Sequence, residues 1–156
     1  MESKPVAGII RLKPPGALRM AFKLPIYLFR LNLGWLLGHR VLLLTHRGRK
    51  SGRVYRTPLE VIQYDPATKE SFVVSAWGEK ADWYRNIKAN PALEIRIGRG
   101  RYVPKQRFCS PEETYAQLAA YKRRYPWLSR SLPPLLGFRL DDSVRMVAFR
   151  PESEAP

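Results

Sequence analysis

The sequence has few of the residues on which disulfide and metal chemistry depends. Its single cysteine, Cys109, excludes an internal disulfide, favours a reducing cytoplasm, and is expected to be a small buried side chain. The two histidines, His39 and His46, have no carboxylates or thiols clustered around them in sequence. Metal centres are usually built from such clusters, so we expect no metal site.

Acidic residues are also scarce, with 13 Asp and Glu against 28 Lys and Arg, and the net charge is +15. Such an excess predicts a polyanionic partner: nucleic acid, an anionic membrane surface, or a phosphorylated or carboxylated small molecule. A nucleic-acid-binding module remains an alternative. It is disfavoured because no readout motif is recognisable and the basic residues are spread over several turns, so we expect no nucleic-acid partner.

The sequence lacks an uninterrupted apolar run long enough to span a membrane. In the most apolar region, 17–37, three basic residues intervene: Arg19, Lys23 and Arg30. On a helical wheel they share one face, and the other face carries Met20, Leu24, Tyr27, Leu28, Leu31 and Trp35. We favour a helix packed on the core by its apolar face. The alternative is an interfacial helix on an anionic membrane, peripheral at its inner face and anchored by Trp35.

The length of 156 residues fits one domain, which we place at 17–150 between tails at 1–16 and 151–156. Apolar runs between turn signals predict strands at 41–45, 55–64, 71–76, 93–97, 101–108 and 144–149. Helices are predicted in the amphipathic segment Arg19–Trp35, at 82–89, from the N-cap Ser110 to about Arg124, and at 126–136. Short turns between neighbouring strands imply an α+β fold, mainly an antiparallel barrel-like sheet with flanking helices.

The segment RGRKSGR, Arg47–Arg53, is the densest basic turn, and no acidic residue stands between Thr45 and Leu59. Its two glycines let backbone N–H groups approach an oxyanion, while Arg49 and Lys50 supply charge and Ser51 a hydroxyl. The spacing is not that of a Walker loop. The turn therefore predicts an anion site facing no nearby carboxylate, with a solvated hairpin as the alternative.

Two blocks carry a family resemblance: LLLTHRGRKSGRVYRTPLEV, Leu42–Val61, and GEKADWYRNIKANP, Gly78–Pro91. They resemble the two signatures of the deazaflavin-dependent nitroreductase family, which includes quinone-reducing members. The resemblance implies a split β-barrel, similar to the FMN-binding split barrels, and coenzyme F420, a deazaflavin with a phosphate and an oligoglutamate tail. It implies hydride transfer to a small-molecule acceptor: a quinone, a nitro compound or another activated acceptor. The alternatives are an FMN-binding split-barrel protein and a non-catalytic deazaflavin carrier. A homodimer follows only by fold analogy.

The resemblance also implies which residues form the site. The phosphate and tail would be held by Arg49, Lys50 and Ser51. The next strand, the end of the third strand and the following helix would line the cofactor through Tyr55, Arg56, Thr57, Pro58, Leu59, Glu60, Ser75, Ala76, Trp77, Gly78, Asp82, Trp83, Tyr84, Arg85 and Asn86. Tyr125 is the substrate-side candidate. No catalytic residue is assigned with certainty, because a deazaflavin itself carries out hydride transfer.

The sequence departs from the family pattern at two places. His46-Arg47 replaces a commoner Thr pair, and Trp77 stands where smaller residues are usual, which puts the shape of the ring pocket in question. Beside Arg47, His46 is expected to be disfavoured as a cation.

The residues around the second block carry their own expectations. Large aromatics mostly supply buried area, so we expect Trp83 and Tyr84 in the core. Asn86 is expected to hydrogen-bond only locally. Asp82 and Glu79 are expected to pair with Lys80.

Overall fold

In the computed structural model of the chain, residues 16–136 and 143–152 are described, with side chains for 23–131 and 143–152. Most of the proposed tails, and the side chains of Arg19 and Met20, therefore lie outside the described residues. The helices are α1 Gly16–Arg30, α2 Asp82–Ala89, α3 Pro111–Arg124 and α4 Pro126–Leu136, with short 3-10 helices at Gly34–Leu37 and Gly78–Lys80. The strands are β1 Val41–Arg47, β2 Val54–Asp65, β3 Glu70–Ser75, β4 Glu94–Ile97, β5 Gly100–Tyr102, β6 Pro104–Phe108 and β7 Arg145–Pro151.

All strand pairs are antiparallel, and the seven strands follow the order β5-β4-β1-β2-β3-β7-β6. The strands at the two ends of this order, β5 and β6, are separated in sequence by Val103 alone, so the sheet curls into a nearly closed barrel. This confirms the predicted antiparallel barrel. The prediction of one strand over 101–108 is wrong, because the ladder breaks at Val103, whose carbonyl accepts a hydrogen bond from the Glu152 amide at 3.1 Å.

Two apolar clusters hold the barrel together. The larger fills the barrel with alternate residues of β1, including Leu42 and Leu44, and is closed by Trp83, Tyr84 and Ile87 of α2. The smaller lies under α3 and contains Ile62, Phe72, Leu118, Val144, Met146 and Ala148. Burying the aromatic face of α2 inside the barrel confirms the expectation that Trp83 and Tyr84 belong to the core.

The first helix packs differently from our favoured interpretation. Its buried contact is Phe29, 3% exposed, whose ring lies against Gly34. The apolar residues expected on the core are largely exposed: Leu24 (55%), Tyr27 (52%), Leu31 (68%) and Trp35 (44%). The prediction fails for two reasons: within α1 the buried Phe29 lies on the opposite side from Leu24 and Tyr27, and the helix does not continue to Trp35. α1 ends at Arg30, Asn32 has a φ of +57°, and the chain turns into a separate 3-10 helix.

Hydrogen bonds at both ends fix the position of α2. Before the helix, the Ser75 hydroxyl donates to the Gly78 carbonyl at 2.7 Å. After it, the Gln106 side chain on β6 donates to the Ile87 carbonyl at 2.9 Å and accepts from the Ala92 amide at 2.8 Å. The face of α2 that is not buried in the barrel is therefore presented at a fixed angle.

A pair of glycine substitutions tests this placement. Gly78 and Gly38 both have a φ of +57°, but a Cβ on Gly78 would overlap the Ser143 carbonyl, whereas a Cβ on Gly38 would meet nothing. Gly38 has a ψ of −135°, so we expect Gly38→Ala to destabilise the fold by about 1–3 kcal/mol through backbone strain alone. Gly78→Ala should destabilise it by about 1–3 kcal/mol more, because overlap adds to strain. Equal losses in urea denaturation would contradict this account.

Candidate cofactor-binding site

The basic turn between β1 and β2 is shaped by its two glycines. Gly52 has a φ of +68°, and a Cβ on Gly48 would come within 2.7 Å of Ser51 Oγ and 2.8 Å of a Tyr55 ring carbon. The Gly48 amide donates to the Arg53 carbonyl at 2.7 Å, and the Arg53 amide donates to Ser51 Oγ at 3.2 Å. These bonds close the base of the turn and leave Lys50 and Ser51 exposed at its tip.

Arg49 joins this turn to α2. Asn86 Oδ1 accepts the Arg49 amide at 3.1 Å and Arg49 Nη1 at 2.9 Å, while Asp82 Oδ1 accepts Arg49 Nη2 at 3.1 Å. The expectation that the turn faces no carboxylate is therefore wrong, because the fold brings Asp82 to it from 33 positions along the chain.

Three local expectations for the second block are corrected in the same region. Asn86 bonds to residues 37 and 40 positions away rather than locally. Asp82 pairs with Arg49 instead of Lys80, and Glu79 lies 3.5 Å from Arg145. These partners lie on other elements, so local spacing in the sequence could not indicate them.

His46, on β1, organises the same region. It is 3% exposed, with Nε2 2.9 Å from Thr57 Oγ1 and Nδ1 3.1 Å from Asn86 Nδ2. Burial lowers the pKa of its imidazole, so the neutral form predominates at neutral pH. The expected direction is confirmed, although burial causes the shift and Arg47 turns outward to donate to the Gly52 carbonyl at 3.2 Å. The sequence signal for this role was the alternation that places His46 on the same face as Leu42 and Leu44.

The six cofactor candidates on β2 divide between the two faces of the strand. Leu59 packs inside the barrel, and alternation places Tyr55 and Thr57 on the same face. The opposite face carries Arg56, Pro58 and Glu60, and Glu60 accepts a hydrogen bond from Tyr121 of α3 at 3.0 Å. The two sets therefore face different surroundings, the barrel interior on one side and α3 on the other.

The substrate-side candidate Tyr125 lies beyond the end of α3, with its ring 5.4 Å from that of Tyr121. Burial and the neighbouring Glu60 raise the pKa of Tyr121, which keeps its hydroxyl protonated as a donor. In the β1–β2 ladder Glu60 pairs with Val41, and Val54 pairs with Arg47 next to the turn. Six residues of strand span about 20 Å, so the basic turn and the Tyr121–Tyr125 pair lie towards opposite ends of the ladder.

The residues proposed to cradle the ring differ in exposure. Ser75 and Gly78 are buried and Ala76 is half-buried, whereas Trp77 is 59% exposed. On α2, Asp82 and Arg85 are exposed, and Arg85 Nε donates to the Glu79 carbonyl at 2.8 Å. The structure therefore brings Asp82 and Asn86 to the basic turn and leaves Trp83 and Tyr84 in the core.

Cys109 is half-buried, and burial raises the pKa of its thiol to about 12. The thiol is therefore protonated at neutral pH and a poor nucleophile. Among the described residues, no group of three or more His, Cys, Asp or Glu side chains could hold a metal ion.

The nearly closed antiparallel barrel, with a glycine-shaped basic turn at the end of one hairpin, is a split β-barrel. Residues 32–133 match the family model described as F420H(2)-dependent quinone reductase. The chain belongs to this family, and it is an F420H2-dependent oxidoreductase.

One curated relative agrees with the family, and two solved structures share the fold. A curated Mycobacterium tuberculosis protein, named "Putative F420H(2)-dependent quinone reductase Rv3178", is 32% identical over 117 residues, covering 69% of this chain and 96% of the relative. The solved structure of the F420-H2 dependent reductase FDR-A is 20% identical, with a TM-score of 0.52 over 72% of this chain and 96% of that one. A pyridoxamine 5'-phosphate oxidase-related, FMN-binding protein of Nostoc punctiforme is 17% identical, with a TM-score of 0.50 over 90% and 81% of the two chains. The two structural likenesses support the split-barrel fold.

The two adjacent cations of the turn should differ in their effect on stability. Arg49→Ala removes the two guanidinium hydrogen bonds, one to Asn86 and one to Asp82, and leaves the backbone amide bond to Asn86, so we expect a loss of about 1–2 kcal/mol in the free energy of unfolding. Lys50→Ala removes an exposed side chain and should change it by less than about 0.5 kcal/mol. Urea denaturation of both variants measures this, and equal stabilities would show that Arg49 does not brace the turn.

Proposed function

We propose that the basic turn binds the phosphate and oligoglutamate tail of F420 and that the chain transfers a hydride from reduced F420 to a quinone. The observation that carries the first part is the exposed tip, Lys50 and Ser51, on a turn whose base is fixed by glycines and by Asn86. A rigid turn that presents an ammonium and a hydroxyl suits an anionic group. The quinone is supported by the description of the family.

The donor set fits the anionic end of the cofactor. Half of the guanidinium fork of Arg49 is already occupied by Asp82 and Asn86, so its charge is partly compensated. Lys50 and Arg53 are exposed beside it. We therefore assign direct contact with the phosphate and tail to Lys50 and Ser51, and the positioning of the turn to Arg49.

Bound F420 would supply the hydride, so the protein has to hold the deazaflavin and orient an acceptor. We place the ring between the turn and the Ser75–Gly78 segment, along β2. The acceptor then lies towards Tyr125. On that side of β2, Arg56 and Glu60 share a face, and Glu60 is held by Tyr121. These side chains are the candidates that orient an acceptor.

Turnover separates this function from a non-catalytic carrier. Reduced F420 mixed with the protein and a soluble benzoquinone should be oxidised at a rate proportional to protein concentration. In a parallel fluorescence titration, F420 should bind more tightly than FMN. Binding without turnover would favour the carrier, and tighter FMN binding would favour the flavin alternative.

The placement of the anionic tail is tested by Lys50→Ala. We expect cofactor affinity to fall about tenfold, since a charge-assisted hydrogen bond contributes about 1.5–3 kcal/mol. The rate at saturating cofactor should change much less, because only uniform binding is lost. The difference from the wild type should shrink at high salt.

Lys105→Ala on β6 is the matched control, because Lys105 is also exposed and its removal changes the net charge equally. It should bind F420 like the wild type. If Lys50→Ala bound normally but turned over slowly when saturated, the turn would lie against the reacting end of the cofactor instead.

We also propose that the exposed side of α1 and the following 3-10 helix docks on an anionic membrane surface. Its apolar side chains, Leu24, Tyr27, Leu31, Trp35 and Leu36, are 44–68% exposed. Lys23 and Arg30 are exposed on the same helix, and the Arg99 guanidinium lies 5.2 Å from the Trp35 ring. None of the described helices is long and apolar enough to cross a bilayer. An apolar patch rimmed by cations is what an anionic lipid surface binds.

Leu31→Glu tests this docking surface without removing the buried Phe29. We expect it to reduce co-sedimentation with phosphatidylglycerol vesicles at least several-fold, through lost apolar burial and charge repulsion. Tyr115→Glu, at a 73% exposed position on α3, is the matched control and should behave like the wild type. If the wild type were instead a dimer without lipid, and Leu31→Glu a monomer, a second copy of the chain would be the occupant of this surface.

A further inference from the structure

A continuous series of hydrogen bonds runs from Thr57 on β2 to Arg49 in the basic turn. Thr57 Oγ1 lies 2.9 Å from His46 Nε2, His46 Nδ1 lies 3.1 Å from Asn86 Nδ2, and Asn86 Oδ1 accepts two bonds from Arg49. His46 and Asn86 are 3% and 4% exposed. Since water is largely excluded from both, each polar atom has to find its partner within this series.

The donors and acceptors of this series determine its orientation. Both Arg49 groups are N–H donors, so Asn86 has to turn its carbonyl oxygen towards them. Its NH₂ group then faces His46 and requires an acceptor, which is the lone pair of Nδ1. The ring proton is therefore on Nε2, which donates to Thr57 Oγ1.

We propose that His46 is a positioning residue: its unprotonated Nδ1 holds the Asn86 amide in the orientation that fixes Arg49 and hence the conformation of the basic turn. A proton on Nδ1 would place an N–H donor opposite the NH₂ donor of Asn86. Rotating the Asn86 carboxamide by 180° would remove this conflict, but its NH₂ would then face the N–H donors of the Arg49 amide and guanidinium. The effect on cofactor affinity rests on the function proposed above for the turn, whereas the effect on Arg49 does not.

Among the hydrogen-bonded residues Thr57, His46, Asn86 and Arg49, His46 is the one that titrates near neutral pH. On the β2 side, the Tyr55 ring stacks on the His46 ring at 5.9 Å, and Thr57 Oγ1 accepts a hydrogen bond from Nε2. On the α2 side, Asn86 faces the His46 ring. The next groups in this series of hydrogen bonds are charged: Arg49, which is bonded to Asn86, and Asp82, which is bonded to Arg49. Burial lowers the pKa of His46 below its ordinary 6.5, so the unfolded chain takes up the proton first. Folding stability should therefore decline as the pH falls below about 6.5, and the turn itself should lose order only as the pH approaches the lower pKa of folded His46.

Two neutral variants distinguish the contact made by Nδ1 of His46 from the contact made by Nε2. The Asn carboxamide places an oxygen near the position of Nδ1, so His46→Asn retains an acceptor for Asn86 and loses the contact with Thr57. The longer Gln carboxamide reaches the position of Nε2, so His46→Gln retains the Thr57 contact and loses the acceptor.

Hydrogen exchange at the Arg49 amide, measured by NMR without cofactor, reports directly whether Asn86 Oδ1 still accepts the hydrogen bond from this amide. We expect strong protection in the wild type at pH 7.5 and in His46→Asn, and at least a tenfold loss of protection in His46→Gln. As the pH is lowered from 7.5 to well below 6.5, the wild type should lose protection beyond the intrinsic pH dependence of exchange, and His46→Asn should not. Equal protection in both variants, or the wild-type pH response persisting in His46→Asn, would overturn the inference.

F420 titrations of the same proteins separate this inference from the proposed function. We expect His46→Gln to bind about tenfold more weakly than His46→Asn, with a similar rate at saturation. If Arg49 protection followed the expected pattern while F420 affinity did not change, the inference would stand and the assignment of the turn to the cofactor would fail. If Lys50→Ala lost affinity but Arg49 protection were unchanged in His46→Gln, the inference would fail alone.

Discussion

The side-chain carbonyl oxygen of Asn86 accepts two hydrogen bonds from Arg49, and the geometry of the site depends on this contact. A six-residue hairpin loop with two glycines has many conformations available, and its ordering costs entropy. Asn86 restricts these conformations because α2 is itself rigid: its aromatic face is buried in the barrel, and Gln106 and Ser75 hold its two ends. The rigidity of the barrel is thus transmitted to an exposed basic turn through one buried amide.

The same contact explains why neighbouring cations have different roles. Arg49 presents a planar fork of donors that can bind an amide oxygen and a carboxylate together, and it is used to brace the fold. Lys50 lies one residue further along, at the exposed tip, where its ammonium keeps full freedom to meet an anion. Other arginines are similarly engaged, since Glu94 pairs with Arg96 and Arg101. The net charge of +15 therefore overstates the number of cations free to bind a ligand.

Periodicity and turn chemistry were enough to predict most elements. The apolar run of β1, the Ser110 N-cap that accepts the Glu113 amide at 3.1 Å, and the end of α2 before Asn90-Pro91 all depend on neighbours within a few residues. The helical wheel failed in this segment because it takes the more apolar face of a single helix to be the buried one. Asn32, with a φ of +57°, ends the helix, and within α1 the buried Phe29 lies on the opposite side from the exposed Leu24 and Tyr27.

The sequence by itself determined the barrel class, the basic turn with its glycines, and the family. Each of these depends on residues that are neighbours in the sequence, either as a repeating pattern or as a contiguous motif. Only the tertiary structure decided that Asp82 and Asn86 meet Arg49, which face of β2 lines the barrel, and that His46 links the sheet to the turn. These contacts join residues 33–40 positions apart. They arise because closure of the barrel brings α2 against the end of the β1–β2 hairpin, and no pattern within either segment encodes that approach.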